Sequence, residues 1–157
     1  MLSLILTATL LALLFGCAFS DLNSGRIPNF LTFSILIVAI LRAVLFPSFG
    51  VTVIQALTSA GLVLVVGYAV WRFRLIGAGD IKMLTAVSAL ANLTTLPIFI
   101  LLLALIGGAQ AIVFSILEKR YGIVLTKNDK RGKATMPAGI SIAIGTVIFV
   151  LYGVDFA

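Results

Sequence analysis

The polypeptide consists of long apolar runs separated by short polar segments, and these runs limit what it can fold into. The first run, Leu2–Ser20, contains no charged residue. About 20 apolar residues in a row are enough for a helix to cross the hydrocarbon core of a bilayer. We therefore interpret the chain as an all-α, polytopic membrane protein. Six transmembrane helices are predicted, at Leu2–Ser20, Phe30–Phe46, Val51–Val70, Asp80–Thr95, Leu96–Leu117 and Ala138–Tyr152.

The composition agrees with this interpretation. Of the 157 residues, 62% are hydrophobic and only 10% are charged, and the mean hydropathy is +1.27. A soluble domain usually has about 25% charged residues, which it needs to cover its surface. Because six helices use most of the chain, we expect one transmembrane domain over residues 1–157.

The basic residues indicate how the helices are oriented. The chain has 11 Lys and Arg residues and a net charge of +6. All of them except Arg42 lie in or beside the segments that follow the first, third and fifth spans, and the opposite connections contain none. Basic loops stay cytoplasmic, so we expect both termini outside the cytoplasm. Because membrane orientation already accounts for the positive charge, we expect no nucleic-acid partner. The basic loop Glu118–Lys133 is expected either to lie along anionic membrane lipids or to be solvated.

The available side chains narrow the possible chemistry. The chain has no histidine and a single cysteine, Cys17. An internal disulfide and a zinc site of the usual Cys/His composition are thereby excluded, and we expect no metal and no cofactor. The acidic residues that remain are Asp21, Asp80, Glu118, Asp129 and Asp155.

Asp21 and Asp80 differ from the other acidic residues because each lies where a predicted span meets the cytoplasmic side. Ionisable groups at membrane depth are costly and are usually functional. Asp80 follows Gly77-Ala-Gly79, where missing or small side chains let a substrate backbone approach. Asp21 precedes Arg26-Ile-Pro-Asn29, a turn that fixes the entry to the second span.

Two aspartates beside one water form an acid–base pair that shares a proton, because close like charges cannot both ionise cheaply. Helix dipoles favour the anion at a helix start and the acid at a helix end. On this basis Asp80 is predicted to be the base and Asp21 the acid. The residues alone also allow a simpler interpretation, in which each aspartate is a helix cap or a topological marker.

Several motifs resemble those of a known family. Gly77-Ala-Gly-Asp80-Ile-Lys82-Met-Leu84 resembles the GxGD signature of the type IV prepilin peptidases. Asp21 with Arg26-Ile-Pro-Asn29 resembles the first-aspartate motif of the same family, and Pro137-Ala-Gly139 with Gly145 is similar to its glycine- and proline-rich stretch before the last helix. The motifs occur in the family's order, which makes the resemblance specific.

This resemblance implies an aspartyl protease of the bacterial inner membrane that removes the basic leader from type IV or Flp-type prepilins at the cytoplasmic face. Asp21 and Asp80 match the two catalytic aspartates. The expected substrate-binding residues are Gly77, Gly79, Lys82, Pro28 and Asn29. Full-length members have an N-terminal cytoplasmic region linked to N-methylation, often with paired cysteines. We expect instead a short, peptidase-only protein similar to the CpaA/TadV-like members of pilus assembly.

The substrate's apolar segment is expected to dock between helices, because the basic cytoplasmic loops would repel a basic leader. Lys82 is predicted either to bind the substrate or a lipid phosphate, or to anchor its helix at the membrane surface.

Three other functions stay open at this point. A small proton-coupled transporter could use the two aspartates as a relay, although it should place them near the midplane. A structural subunit of a pilus or secretion machine would not need either carboxylate. Another kind of GxGD protease, of the presenilin or signal-peptide-peptidase type, should have Tyr before the first aspartate, where this chain has Ser20.

Overall fold

In the computed structural model, the described part of the chain forms six α-helices. The structure describes residues 1–47, 50–73, 76–121, 127–128, 134–135 and 138–152. The helices are α1 (Leu2–Ser24), α2 (Asn29–Leu45), α3 (Val53–Arg72), α4 (Ala78–Ser88), α5 (Leu96–Tyr121) and α6 (Gly139–Tyr152). The predominantly helical fold predicted from the apolar runs is confirmed.

A pair of two-residue β-strands follows α5 and leaves the all-helical character of the fold unchanged. Strand β1 (Lys127–Asn128) pairs with β2 (Ala134–Thr135) in antiparallel register, with Lys127 opposite Thr135. Helix α5 also runs four residues beyond its predicted end at Leu117. Most of the basic loop predicted at 118–133 lies outside the described residues, as do Arg74, Asp129, Pro137 and Asp155.

Three helices are long and apolar enough to cross a membrane: Leu2–Ser24, Val53–Arg72 and Leu96–Arg120. Only 6% of the most apolar stretch of α5 is buried within the protein. Large apolar faces of this kind are rare on soluble monomers and normal against lipid. Helices α2 and α6 are apolar but shorter. The chain is therefore a membrane protein.

Helix α4 is much shorter than the predicted fourth span, Asp80–Thr95. It has 11 residues, which at about 1.5 Å per residue gives about 16 Å, roughly half the thickness of the hydrocarbon core. The chain turns after Ser88, and the Asn92 side chain accepts a hydrogen bond from the Thr95 N–H at 2.7 Å. Asparagine competes with helical hydrogen bonding in this way, so the prediction of a span continuing to Thr95 is wrong.

Although short, α4 lies at the centre of the bundle. It packs against α3, α2 and α6, while α1 packs against α2 and α6, and α5 against α6. The main core contains side chains from five helices: Leu10, Leu14 and Cys17 of α1, Ile35 of α2, Met83 and Val87 of α4, Phe99 of α5 and Ile142 of α6.

Glycines allow two of these helix pairs to approach closely, as is common for helices packed in a membrane. A Cβ atom on Gly67 of α3 would lie 2.7 Å from Cγ2 of Ile81 on α4. A Cβ atom on Gly145 of α6 would overlap the Leu103 side chain of α5. The first contact fixes the start of α4, where Asp80 lies.

Candidate active site

Asp21 lies in the last turn of α1, within the helix and not after it. The helix ends at Gly25, which adopts the left-handed conformation (φ 62°, ψ 25°) and donates its N–H to the Asp21 carbonyl oxygen at 2.8 Å. The Ser20 hydroxyl donates to the Arg26 carbonyl oxygen at 3.0 Å, which ties the following turn back to the helix. Pro28 then precedes α2 in an extended conformation. The first-aspartate motif therefore reverses the chain between α1 and α2.

The Asp21 side chain is buried, with 6% of its surface exposed. Its Oδ2 accepts a hydrogen bond of 2.7 Å from the backbone N–H of Gly139, the first residue of α6. A Cβ atom on residue 139 would lie 2.8 Å from Oδ2 and 3.0 Å from Cβ of Asp21. Real Cβ atoms essentially never approach other atoms this closely, so glycine is required at position 139 for this contact.

Asp80 occupies the first turn of α4, which begins after Gly77. The Asp80 carboxylate hydrogen-bonds the backbone of Gly77, as an acidic residue three positions after a helix cap often does. A Cβ atom on Gly77 would lie 2.9 Å from Asp80 Oδ2. Residue 77 therefore has room for the carboxylate only because it is glycine.

The two aspartates interact electrostatically although they are 59 positions apart in the sequence (80 − 21). Asp80 lies outside the three candidate spans. Burial raises the pKa of Asp80 most, the charge of Asp21 raises it further, and the hydrogen bond from Gly77 lowers it. Helix α4 packs against α2 and α6, and both of these helices pack against α1. This packing forms a site in which the Asp80 carboxyl group favours the protonated state beside the carboxyl group of Asp21.

The turn before α2 and the start of α4 meet at Gly79. A Cβ atom there would lie 3.9 Å from Cβ of Ile27, an ordinary van der Waals distance. Beside this contact, the Lys82 ammonium group donates a hydrogen bond of 2.9 Å to Oδ1 of Asn29. The two motifs around Asp21 and Asp80 are therefore joined by both an apolar and a polar contact.

An open groove extends from this polar contact along α2, α3 and α4. Its volume is about 430 Å³ and most of its lining is apolar. Asn29 and Lys82 line it together with Phe30, Thr32, Phe33, Leu36, Leu64, Thr85 and Ala86. Phe30 and Phe33 are largely exposed, so the groove opens sideways toward the surroundings of the bundle.

Within the described residues, no three His, Cys, Asp or Glu side chains are grouped so that they could hold a metal ion. Asp21 and Asp80 themselves form a pair of interacting carboxyl groups. A pair of interacting carboxyl groups, one of them favouring its protonated state, can supply both a general base and a general acid.

Comparison with known proteins agrees with the motifs. The sequence model of the type IV leader peptidase family matches residues 8–112, which include both Asp21 and Asp80. The chain belongs to the type IV leader peptidase family. A prepilin leader peptidase/N-methyltransferase of Aeromonas hydrophila is 34% identical over 159 residues, covering 96% of this chain and 49% of that protein. The chain thus spans about half the length of this relative. No solved structure matches.

The structure of this leader peptidase family member brings together most of the residues singled out in the sequence. Gly77 contacts the carboxylate of Asp80, and Lys82 contacts Asn29. Pro28 shapes the turn before α2 and is exposed. Gly79 lies against Ile27, in the place where a substrate backbone was predicted to approach.

Gly139 was not predicted as a site residue. It belongs to Pro137-Ala-Gly139, the stretch similar to the family's motif before the last helix, and this was the only sequence signal that could have identified it. Its hydrogen bond to Asp21 joins positions 118 residues apart, and nothing in the local sequence indicates such a contact.

Proposed function

We propose that this chain is an aspartic endopeptidase that removes leader peptides from type IV or Flp-type prepilins at the cytoplasmic face of the bacterial inner membrane. The observation that carries the proposal is the interaction of Asp21 with Asp80 at the ends of two different helices, in a member of the leader peptidase family. No metal or cofactor enters the proposed reaction.

The proposed reaction uses one shared proton. A water molecule attacks the scissile carbonyl carbon while the ionised carboxylate takes one proton from that water and the protonated carboxyl gives its proton to the carbonyl oxygen. When the C–N bond breaks, the first carboxyl returns its proton to the leaving nitrogen and the second recovers one from the intermediate's hydroxyl group. The pair thus ends in the state in which it began.

The groove lined by Phe30, Phe33 and Leu64 is a candidate binding site for the apolar segment of the substrate. It starts at the Lys82–Asn29 contact, beside the turn that holds Ile27 against Gly79. A substrate helix seated there would keep its apolar side chains out of water, and its polar end would lie near the two aspartates. Lys82 is the one charged residue among those that line this groove, so binding there would depend mainly on apolar contacts.

The distribution of basic residues supports the proposed orientation. All three candidate spans end next to basic residues, at Arg26, Arg72 and Lys119-Arg120, and none has a basic residue in its first turn. By the positive-inside rule these ends are cytoplasmic. Asp21 and Asp80 lie near the same ends, so the proposed cleavage takes place at the cytoplasmic surface, with both chain termini on the opposite side.

Co-expression with a candidate prepilin tests the function, with leader loss followed by gel shift. Wild type should cleave, and Asp21→Asn and Asp80→Asn should each lose at least about 10³-fold in rate, since each removes half of the acid–base pair. Glu118→Gln is the matched control for the loss of a carboxylate, because Glu118, near the C-terminal end of α5, is not among the proposed site residues.

Cleavage at a near-normal rate by either aspartate variant would overturn the two-aspartate reaction. If wild type cleaves no prepilin but carries out proton-coupled transport, and the aspartate variants lose that transport, the transporter is favoured. Cleavage of unrelated membrane helices, with prepilins left intact, would favour another type of GxGD protease.

A further inference from the structure

The Asp21 side chain, which belongs to α1, caps the N-terminus of another helix, α6. The residue that precedes α6 is Ala138, whose carbonyl oxygen accepts the N–H of Ile142 at 3.1 Å, as expected of a helix cap. Alanine has no side-chain acceptor for the free N–H groups of the first turn. The Asp21 carboxylate, from α1, accepts the N–H of Gly139 instead.

This contact favours the ionised form of Asp21. A carboxylate at a helix N-terminus meets the positive end of the helix dipole and a charge-assisted hydrogen bond, which is short at 2.7 Å. The helix-dipole prediction made from the sequence considered only α1, whose C-terminal end disfavours a negative charge. The structure shows that a second helix presents its opposite end to the same side chain.

Within the described residues, the backbone hydrogen bond to the Asp80 carboxylate comes from the start of its own helix and not from a different helix. Its hydrogen bond comes from Gly77, directly before its own helix, and the stronger influences on it are burial and the charge of Asp21. Both of these favour the neutral, protonated carboxyl group.

We propose that Gly139 is a positioning residue for the aspartate pair: its N–H and its missing side chain hold Asp21 as the ionised member, so that Asp80 carries the shared proton. In the proposed peptidase reaction, Asp21 then takes the proton from water and Asp80 protonates the carbonyl oxygen. This assignment reverses the prediction from the sequence, and the catalytic part of it rests on the proposed function.

Other titratable or charged groups lie on the helices around this site. On α1, Cys17 is buried one turn before Asp21 and interacts with it electrostatically. On α6, Tyr152 is the sole titratable residue of the helix and lies at its opposite end. On α2, Arg42 lies in the last turn, far from Asn29 at the start. On α4, Lys82 is bonded to Asn29. On α3, which packs against α4, Arg72 lies in the last turn, and Arg26 lies five positions after Asp21. The order in which the two aspartates ionise is here attributed to Gly139 and to their mutual repulsion.

The direct test is a carboxyl ¹³C titration of the full chain in lipid nanodiscs, from about pH 4 to about pH 8. Asp21→Asn and Asp80→Asn assign the two signals. Asp21 should ionise at a lower pH than Asp80, and the Gly139 amide proton signal should follow the Asp21 titration. Ionisation of Asp80 before Asp21, or a Gly139 amide signal insensitive to pH in this range, would overturn the inference. This result does not depend on cleavage, so it stands even if wild type cleaves no prepilin.

The kinetic test is Gly139→Ala, which places a Cβ atom against the Asp21 carboxylate. We expect kcat to fall by about 10²-fold, as misplacement of a reacting group by about 1 Å can do, with KM nearly unchanged. Because the Asp21 anion loses stabilisation, it binds a proton at higher pH, and the acidic limb of the pH profile of kcat should move upward.

Gly145→Ala provides the matched control on the same helix, since it disturbs the packing of Leu103 and not the aspartates. It should lower thermal stability and leave the acidic limb in place. If Gly139→Ala instead lowers activity only in proportion to its loss of folded protein, with an unchanged limb, Gly139 is merely structural and the proposal is wrong.

Discussion

Each aspartate of the proposed pair is held by the backbone of a glycine at the start of a helix. Gly139 contacts Asp21 and Gly77 contacts Asp80, and a Cβ atom on either glycine would come within 3 Å of the carboxylate it faces. A buried carboxylate is costly unless it accepts hydrogen bonds. Glycine provides the donor while leaving room for the acceptor, so these two positions are constrained by the carboxylates beside them.

Substitution of the two glycines before Asp80 should therefore have unequal effects. Gly77→Ala places a Cβ atom 2.9 Å from Asp80 Oδ2 and must displace that carboxylate, whereas Gly79→Ala meets Ile27 at 3.9 Å. We expect Gly77→Ala to lower kcat by about 10- to 100-fold and Gly79→Ala to lower it much less, at equal amounts of folded protein. Equal losses would instead indicate that Gly79 is needed for the approach of the substrate.

The raised pKa of Asp80 predicts how stability depends on pH. Burial is its main cause and the charge of Asp21 the second. The folded protein then holds this proton to higher pH than the unfolded chain, so the associated stabilisation is complete below the ordinary aspartate pKa and is lost as pH rises through the folded value. The Tm of wild type should fall across that interval relative to Asp80→Asn. Glu118→Gln should follow wild type, and parallel curves for wild type and Asp80→Asn would contradict the prediction.

At the scale of elements, the sequence predicted the existence of the helices better than their ends. The apolar runs predicted six helices because a helix pairs all of its backbone hydrogen-bonding groups internally, as lipid requires. The early end of α4 depends on side-chain bonds of Asn92 with Thr95 and with Gly50 in a distant turn, and the second of these cannot be recognised locally. Both aspartates can be identified from their local motifs. The contact of α6 with Asp21 cannot, because it joins residues that are far apart in the sequence.

The close packing of α3 on α4 gives a test at this scale. Gly67→Ala overpacks the contact with Ile81, which should cost about 1–3 kcal/mol and shift the start of α4 with Asp80. Gly61→Ala, on the same helix, meets nothing within 4 Å and should be neutral. Thermal unfolding in detergent measures both.

Adding Ile81→Ala to Gly67→Ala removes the atoms that collide. The two substitutions should therefore be non-additive in a double-mutant cycle, with a coupling of about 0.5–3 kcal/mol. Simple additivity would show that the two helices do not meet at this contact.

At the scale of the whole molecule, the separation of charge along the bundle links its orientation to the place of its proposed reaction. Helices α3 and α5 carry basic residues in their last turns, and Arg26 follows the end of α1. Asp21 lies in the last turn of α1, and α4, with Asp80 in its first turn, begins soon after the end of α3. The other end has the uncharged turn between α4 and α5, which Asn92 bonds to Gly50. If the basic ends are cytoplasmic, the two aspartates meet a substrate on the side where it is synthesised.

This orientation can be tested with variants that each carry one added cysteine and a membrane-impermeant maleimide. The native Cys17 is fully buried, so wild type should give little labelling and serves as the control. Thr94→Cys, in the exposed turn before α5, should be labelled in intact spheroplasts and not in inverted vesicles. Lys119→Cys, in the last turns of α5, should show the reverse pattern, because basic residues remain in the cytoplasm. Labelling of both variants from one side would mean that α5 does not cross the membrane, and a reversed pattern would place the aspartate pair on the outer face, where it could not act on a leader before export.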